Sequence, residues 1–383
     1  MASVYVHFPY CLAKCPYCDF TSYASDRAAI DHRAYSDAII AELGQRLPAF
    51  DGRPIESIFF GGGTPSLWDP RELGRTLRAF ERDLPLSKNV EITVECNPTS
   101  LDEARARALR EVGVNRLSIG VQSLEPSALQ FLGRLHDGPM ALSALRGAQA
   151  AGMPRISGDL IFGLPDQPLA TAVSEAETLA ELGLSHLSCY QLTIEPGTRF
   201  GELAKVGRLP LADDGRVAEA FLAIDEALTR RGFRHYEISN YAFPGEEARH
   251  NLAYWHGAEY MGLGTGAFGF YRTPHAEGVR YRNELKPDTY VKRAIAGEPV
   301  TTLEEPLSPE TLLKERIMLG LRLAEGFDLG AAARDLGVEA WSEGRKRAAD
   351  WLVSRDRLVV EGSHLRIPMR AWLFGDDTAA RLF

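Results

Sequence analysis

Residues 10–20 have the sequence YCLAKCPYCDF and place three thiols in one short turn, at Cys11, Cys15 and Cys18. Their spacing is C-x3-C-x2-C. Three thiolates from one loop can hold three corners of a cubane [4Fe-4S] cluster, and the fourth iron is then left for a ligand that the protein does not supply. The spacing therefore predicts an iron–sulfur cluster with one open iron.

Two other interpretations of the thiols are weaker. A structural zinc site needs four ligands, usually in two separated Cys/His pairs, and no second pair stands at a matching spacing. A disulfide framework is disfavoured because a chain of 383 residues contains only five cysteines, an odd number. Cys96 and Cys189 lie in or beside apolar segments and are predicted to be core residues.

The composition is ordinary for a globular protein, with 45 % hydrophobic and 25 % charged residues. A net charge of −9 disfavours nucleic acid as a partner. The first residues, MASVYVHFPYC, contain no basic region followed by an apolar run, so no signal peptide is predicted. No stretch reaches the roughly 18 apolar residues of a membrane span. Thiols that must stay reduced then predict a cytoplasmic protein.

From residue 1 to residue 240 a short apolar strand alternates with an amphipathic helix. The predicted strands are 4–8, 55–60, 90–95, 116–120, 156–161 and 186–190. The predicted helices are 35–47, 71–84, 101–112, 140–151, 169–182 and 213–231. Short, apolar strands in this alternation predict an α/β fold with a parallel sheet covered by helices. That sheet is either open and doubly wound or a barrel, full or partial.

A glycine run, GGGTP at 61–65, follows the predicted strand 55–60 directly. Three glycines remove every side chain, so a polar ligand can approach the backbone closely. The run is not a phosphate loop, because the G-x4-G-K-[ST] pattern is absent. The carboxyl ends of parallel strands meet at one edge, so we expect this run to face the cysteine loop and to cradle S-adenosylmethionine. A side chain at Gly63 should then obstruct that ligand and leave the cluster in place.

The cysteine triad, with Tyr17 before its third member, and GGGTP together resemble the radical SAM superfamily. Five further runs narrow the resemblance: YVHFPYC at 5–11, VECNP at 94–98, RLSIGVQS at 116–123, DLIFGLP at 159–165 and HNLAYW at 250–255. They resemble the family of oxygen-independent coproporphyrinogen III oxidase and its relatives, and within it the HemW-type haem chaperones. The resemblance implies a partial (β/α) barrel of radical SAM type.

The resemblance also implies the residues of the site. Cys11, Cys15 and Cys18 would bind the cluster, and the amino and carboxylate groups of S-adenosylmethionine would complete its fourth iron. The residues implied around this cofactor are Tyr5, Tyr17, Gly62, Gly63, Thr64, Glu95, Gln122, Arg134 and Asp159. Carboxylates suit ammonium or ribose hydroxyl donors, and a guanidinium suits a carboxylate.

Three residues in or near this predicted site also have a purely structural interpretation. Glu95 is alternatively the cap of a following helix, and Arg134 is alternatively half of a surface ion pair. His7 alternates with Tyr5, so both side chains should point to the face of their strand nearest the cluster. His7 is alternatively a core histidine with satisfied hydrogen bonds.

Three features decide between members of the family. The oxidases carry a further cysteine two places after the triad, where this chain has Phe20. They also carry an extension ahead of the cluster loop, whereas the first cluster cysteine of this chain is already at position 11. In addition, residues 250–255 match the HNxxYW motif of haem-handling relatives. Imidazole commonly binds haem iron, so His250 is the predicted haem ligand. The alternatives are a purely structural role for this motif, or a ligand among His186, His235 and His256.

The resemblance therefore implies a haem chaperone that binds haem, a [4Fe-4S] cluster and S-adenosylmethionine and delivers haem to a respiratory haem protein. The alternative is an oxidase that forms protoporphyrinogen IX from coproporphyrinogen III by radical SAM decarboxylation. Whether the chain is also an enzyme stays open at this point. Its oligomeric state also stays open, with a homodimer as one option. Peripheral association with a membrane stays open as well.

The chain divides into three predicted parts: the radical SAM core at 1–240, a connecting segment with the HNxxYW motif at 241–305, and a winged-helix-like α+β module at 306–383. In the module, helices at 309–323, 328–336 and 339–354 precede strands at 357–361 and 365–368. Residues 308–383 contain twelve basic and twelve acidic side chains, so contact with the barrel or a protein is favoured over DNA. The segment GLGTGAFGF at 262–270 is expected to form a cleft wall or a turn.

Overall fold

The computed structural model describes residues 2–50, 52–273 and 277–383. In chain order the strands are β1 (Ala2–Phe8), β2 (Tyr10–Cys11), β3 (Tyr23–Ala24), β4 (Ile55–Gly62), β5 (Leu86–Cys96), β6 (Arg116–Gln122), β7 (Arg155–Phe162), β8 (His186–Gln191), β9 (Arg234–Glu237), β10 (Asn240–Ala242), β11 (Glu259–Gly264), β12 (Phe268–Arg272), β13 (Gly278–Asn283), β14 (Thr301–Leu307), β15 (Phe327–Asp328), β16 (Val359–Glu361) and β17 (His364–Arg366). The six strands predicted in the core are all present, each extended by one to five residues.

The helices also begin and end close to the predicted positions. In chain order they are α1 (His32–Arg46), α2 (Pro70–Asp83), α3 (Glu103–Glu111), α4 (Pro126–Phe131), α5 (Gly138–Ala150), α6 (Leu169–Glu181), α7 (Arg199–Lys205), α8 (Asp214–Arg230), α9 (Arg249–Trp255), α10 (Pro287–Ile295), α11 (Pro309–Gly320), α12 (Leu329–Leu336), α13 (Glu343–Val353) and α14 (Gly375–Arg381). Aspartate caps fix several starts: the carboxylates of Asp31, Asp102 and Asp137 accept from backbone N–H groups of α1, α3 and α5.

The described residues form a central sheet of 12 strands in the order β14-β13-β12-β11-β1-β4-β5-β6-β7-β8-β10-β9. The strands from β11 to β8 run parallel, and the strands at either side pair antiparallel. Strands β14 and β9 lie at the two ends of this order, so the described strands form an open sheet, as a partial barrel requires. The predicted α/β fold of radical SAM type is confirmed.

Residues 265–267 of the glycine-rich segment 262–270 turn from β11 into β12, which agrees with the expected turn. The segment does more than turn, because its first residues belong to β11, which pairs in parallel with β1. Gly264 has φ +100°, and a Cβ there would lie 2.4 Å from the carbonyl oxygen of His7. Glycine therefore allows this strand to approach β1 closely. Periodicity could not predict the strand, because glycine carries no hydrophobic signal.

Strand β1 separates the core from the site. Val4, Val6 and Phe8 are fully buried on the helix-covered face, where the ring of Phe8 stacks on Trp68 at 5.0 Å between centroids. Burying such side chains contributes about 1.5–3 kcal/mol each. Tyr5 and His7 point to the opposite, inner face. The cluster loop follows directly after this strand, so the core packing of β1 also positions the thiols.

The C-terminal part contains α11 to α13 and a small sheet in the order β15-β17-β16. This confirms the predicted winged-helix-like α+β module. Helix α13 begins at Glu343, four residues later than predicted, because the Ser342 hydroxyl caps it by accepting from the Arg345 N–H. Two backbone hydrogen bonds attach the module to the barrel edge: Ile238 N–H to Arg322 O and Ala324 N–H to Tyr236 O, both 3.0 Å.

Candidate functional site

One cavity of about 860 Å³ opens at the carboxyl ends of the parallel strands. This volume lies within the usual range for ligand sites, about 300–1,000 Å³. Eleven of the thirteen predicted site residues line it: Cys11, Cys15, Tyr17, Cys18, Gly62, Gly63, Thr64, Glu95, Gln122, Arg134 and Asp159. Tyr5 and His250 do not. Cys96 and Cys189 are buried as predicted, but they also line this cavity.

The three loop cysteines are half-buried free thiols. The hydroxyl of Thr64 donates to Cys11 Sγ at 3.4 Å, and Arg134 Nη1 donates to Cys15 Sγ at 3.7 Å. The Thr64 contact favours the thiolate form of Cys11. Burial raises the pKa of the Cys11 and Cys18 thiols, so bound metal must displace their protons.

The spacing of the thiols also bears on which metal group fits them. Among the described residues, no three His, Cys, Asp or Glu side chains come close enough together to hold one metal ion. A mononuclear zinc site surrounds a single ion with all its ligands, whereas a cubane cluster takes each thiolate on a different iron. Three separated thiols that line one cavity therefore fit the cluster.

His7 anchors the cluster loop. Its Nε2–H donates to the carbonyl of Thr21 at 2.7 Å, so its Nδ1 accepts from the Tyr5 hydroxyl at 2.9 Å. Burial lowers the pKa of His7 to about 4, which keeps the ring neutral and this pair of bonds intact at neutral pH. Tyr5 therefore lies beneath the cavity and supports the loop, and His7 is a histidine whose hydrogen bonds are satisfied.

The glycine run is bonded to the backbone that leads into the cluster loop. Gly63 N–H donates to Phe8 O at 2.7 Å, and Thr64 N–H donates to Tyr10 O at 2.9 Å. Gly62 has φ +112°, and a Cβ there would lie 2.5 Å from the ring of His7. These glycines thus expose backbone to the cavity, and they also let β4 and the end of β1 approach each other.

Two half-buried carboxyls, Glu95 and Asp159, line the same cavity. Burial, and then the nearby charge of Asp159, raise the pKa of Glu95 to about 8. Its Oε2 accepts from Gly62 N–H at 3.1 Å, so Glu95 is not a helix cap. Asp159 accepts from the hydroxyls of Ser118, at 2.8 and 3.1 Å, and Ser157, at 3.0 Å. The hydrogen-bond partners of these two carboxyls are all uncharged groups, so a cationic ligand would face two carboxyls that are not already paired with a cation.

Gln122 and Arg134 complete the polar wall. Gln122 adopts φ +66°, a left-handed conformation that costs a non-glycine residue of order 1–3 kcal/mol and is concentrated at functional sites. Arg134 is not part of a surface ion pair. Its Nη2 donates to Gly120 O at 3.0 Å, and its Nη1 lies 3.5 Å from the Tyr17 hydroxyl.

Part of the cavity lining is an apolar wall that was not predicted. Its large side chains are Phe20, Tyr190, Met318 and Phe374, and they come from the cluster loop, from β8 and from the C-terminal module. They are unusually exposed, 53 % for Phe20 and 56 % for Phe374. Exposed apolar side chains gathered in a cavity mark a site for an apolar ligand. No sequence pattern joins them, because they meet only when the module docks.

Comparison with known proteins agrees with this geometry. A model of the radical SAM superfamily matches residues 5–189, and a model of the HemN C-terminal domain matches residues 307–374. Radical S-adenosyl methionine domain-containing protein 1, mitochondrial, of Bos taurus is 38 % identical over 330 residues, 85 % of this chain and 74 % of that protein. Heme chaperone HemW of Escherichia coli is 38 % identical over 290 residues, 76 % of this chain and 75 % of that protein. The chain belongs to the HemW family of radical SAM proteins.

The fold is that of a solved member of the wider superfamily. Coproporphyrinogen III oxidase (HemN) from Escherichia coli superposes with a TM-score of 0.82 at 20 % identity, covering 100 % of this chain and 89 % of that chain. At this identity the likeness concerns the fold alone. Membership of the radical SAM superfamily implies a [4Fe-4S] cluster and S-adenosylmethionine as cofactors. Within residues 2–50, 52–273 and 277–383, no helix is both long and apolar enough to cross a membrane.

The HNxxYW motif lies on α9, and its residues face two different environments. Asn251 lines the cavity, whereas His250 is only 2 % exposed and stacks on Phe59 at 4.8 Å between ring centroids. Ser57 donates its proton to Ser3, so His250 Nδ1 must donate to Ser57 at 2.9 Å. Its Nε2 is buried and has no hydrogen-bond partner among the described residues. A free Nε2 suits a haem ligand, but Phe59 and the surrounding barrel enclose it.

The placement of His250 therefore does not support its predicted role as the haem ligand. Burial, and then the positive charge of Arg116, lower the pKa of His250 to about 3, so the ring is neutral. An iron bond would require Phe59 and the adjoining strands to move. In this conformation the imidazole fills the barrel floor and holds Ser57.

Replacing His250 by Phe tests that placement. The phenyl ring keeps the contact with Phe59 and removes both nitrogens. We expect the axial-ligand spectrum of bound haem to stay unchanged. The free energy of unfolding should fall by about 1 kcal/mol, because Ser57 loses a hydrogen bond. The measurements are the absorption spectrum of the haem-loaded protein and denaturant unfolding, with exposed His256→Phe as control. A changed axial ligand in the His250 variant would show that this imidazole does reach the iron.

Proposed function

We propose that this chain is a haem chaperone that binds haem beside a [4Fe-4S] cluster and S-adenosylmethionine and passes the haem to an acceptor protein. The observation that carries the proposal is the cavity lining, which combines thiols and polar side chains with an apolar wall. A porphyrin is large, flat and apolar, with carboxylate groups at its edge, and it needs such an apolar wall. The naming of the HemW relatives supports the same conclusion.

In this proposal Cys11, Cys15 and Cys18 hold the cluster, which supplies a one-electron redox centre when it is bound. Glu95 and Asp159 accept hydrogen bonds from S-adenosylmethionine, and the backbone at Gly62 and Gly63 lies against it. The residues Tyr17, Thr64, Gln122 and Arg134 border the same space. Tyr5 acts indirectly, through its hydrogen bond to His7.

Haem would lie against the apolar wall, under the C-terminal module. Arg322 lines the cavity there, with its guanidinium 5.2 Å from the ring centroid of Trp255 in the HNxxYW motif. Its ion-pair partner, Asp376, is 3.2 Å away, and the side chain of Asp376 is 89 % exposed. An exposed pair of this kind contributes at most about 1 kcal/mol, so a haem propionate can replace Asp376 at little cost. The acceptor is proposed to be a respiratory haem protein.

The test measures two activities on the same anaerobically reconstituted protein. One assay follows haem retention and its transfer to an apo haem protein, and the other follows coproporphyrinogen III with reductant and S-adenosylmethionine present. We expect transferable haem and no loss of coproporphyrinogen. Phe374→Asp should weaken haem retention by about tenfold or more, because it places a charge in the apolar wall. Phe383→Asp, at another exposed phenylalanine outside the cavity, is the control. Steady formation of protoporphyrinogen IX would instead identify an oxidase.

A further inference from the structure

Arg116 is an ionised side chain that the site described so far does not use. It is only 3 % exposed, at the start of β6, and it lines the cavity. Among the residues that the structure describes, no hydrogen bond or ion pair joins its guanidinium to another residue, and its nitrogens are not fully enclosed. A positive charge in a largely enclosed cavity with no carboxylate bonded to it calls for a compensating role.

Strand register places Arg116 directly beneath the two carboxyls. Alternate residues of β6 share one face, so Arg116 and Ser118 both point into the barrel, about 7 Å apart along the strand. Ser118 pairs in register with Glu95 on β5, and its hydroxyl donates to Asp159 on β7. The backbone of Arg116 therefore lies one layer below the Glu95–Asp159 pair, and its side chain lines the same cavity as both carboxyls.

The electrostatics agree with that placement. Burial raises the pKa of both carboxyls, and the charge of Arg116 lowers both. The other titratable groups whose pKa responds to the pair are Tyr5, Cys96, Cys189 and Tyr190. Burial raises the pKa of all four, so they are uncharged at neutral pH. The imidazoles of His186 and His250, which also face Arg116, are neutral because burial lowers their pKa.

We propose that Arg116 is a positioning residue for S-adenosylmethionine: its charge favours the ionised form of Glu95 and Asp159, the form that receives the cationic ligand. The inference rests on the proposed cofactor site. S-adenosylmethionine carries a positive sulfonium group, so it binds more tightly to ionised than to protonated carboxyls.

The distance between the charges is part of this arrangement. A guanidinium bonded directly to Glu95 or Asp159 would occupy the oxygens that the ligand needs. From one layer below, Arg116 acts only through its field and leaves those oxygens free. A bound cation then neutralises the pair from above, while Arg116 stays enclosed beneath it.

The test is the pH profile of S-adenosylmethionine affinity, measured by equilibrium binding to cluster-loaded protein. For the wild-type chain, affinity should rise as pH increases through about 8, where Glu95 loses its proton, and then level off. In Arg116→Met and Arg116→Gln the rise should move to higher pH by one unit or more, the usual effect of losing an opposite charge nearby. Affinity at pH 7.5 should then fall by about tenfold and recover at high pH. Arg116→Lys should behave like the wild-type chain.

Arg155→Met is the matched control. Arg155 pairs in register with Arg116 on the next strand, but its ion pairs are with Glu91 and Glu246, and it does not line the cavity. Its profile should match that of the wild-type chain. An Arg116→Gln profile that coincides with the wild-type profile, or one lowered equally at every pH, would overturn the inference and leave the cofactor site in place. Failure of the wild-type chain itself to bind S-adenosylmethionine would overturn both.

Discussion

Replacing Cys11, Cys15 and Cys18 together by Ser should abolish cluster binding. A serine hydroxyl is a far weaker ligand for iron than a thiolate, and the three thiols are the cluster ligands that this site offers. Anaerobic reconstitution should give about four iron and four sulfide ions per chain in the wild-type protein. The triple variant should retain almost none and should lose the visible absorption of the cluster. Chemical iron and sulfide analysis measures this directly.

Cys96→Ser and Cys189→Ser are the controls for that result. Both thiols line the same cavity, but they come from β5 and β8 and not from the loop. Burial raises the pKa of each thiol far above its usual value, so they are poor thiolate ligands. These variants should keep the full cluster. A triple loop variant that still held about four irons would show that the ligands lie elsewhere.

The core of the fold could be predicted because its signals are local. Each of the predicted strands 55–60, 116–120 and 186–190 is a short apolar run between amphipathic helices, and a parallel sheet is what such alternation builds. The observed β4, β6 and β8 begin where predicted and extend further at their carboxyl ends. Those extensions carry polar residues such as Gln122. Polar residues at the strand ends weaken the hydrophobic pattern, so the predicted strands stop short of the edge where a parallel sheet binds its ligands.

The apolar wall and Arg116 could not be predicted, for two different reasons. Phe20 and Phe374 are far apart in the sequence and meet only after the C-terminal module docks on the barrel edge. Arg116 follows a turn and begins a strand, a position where a charged residue usually faces solvent. Its alternation with Ser118 on one strand face was the available signal, and it becomes informative only once that face is known to be the barrel interior.

His250 shows the limit of a motif. The sequence places an imidazole beside two aromatic residues, and that composition fits a haem pocket. The burial of His250 depends instead on where α9 docks against β4, which residues 250–255 do not encode. A motif gives the chemistry of its side chains, but the direction in which each one points follows from the packing of the whole element.

Replacing Gly63 by Ala should lower the free energy of unfolding by about 1–3 kcal/mol, as overpacking does in a close contact. A Cβ at this position would lie 2.7 Å from Tyr10 O, 2.9 Å from Pro9 C and 3.0 Å from Phe8 O. All three atoms are backbone, so no side chain can move aside. The sequence predicted that a side chain here would block S-adenosylmethionine alone. The structure shows that expectation to be too narrow.

The backbone that must move leads directly into Cys11, so cluster content should fall together with cofactor affinity in the Gly63 variant. Thermal unfolding, iron analysis and S-adenosylmethionine binding on the same preparation measure the three effects. Gly44→Ala is the control, because Gly44 lies in α1 with nothing within 4 Å of an added Cβ. There alanine should stabilise the helix by up to about 1 kcal/mol. If Gly63→Ala kept its full cluster and lost only S-adenosylmethionine, the glycine would serve ligand approach and not the packing of the loop.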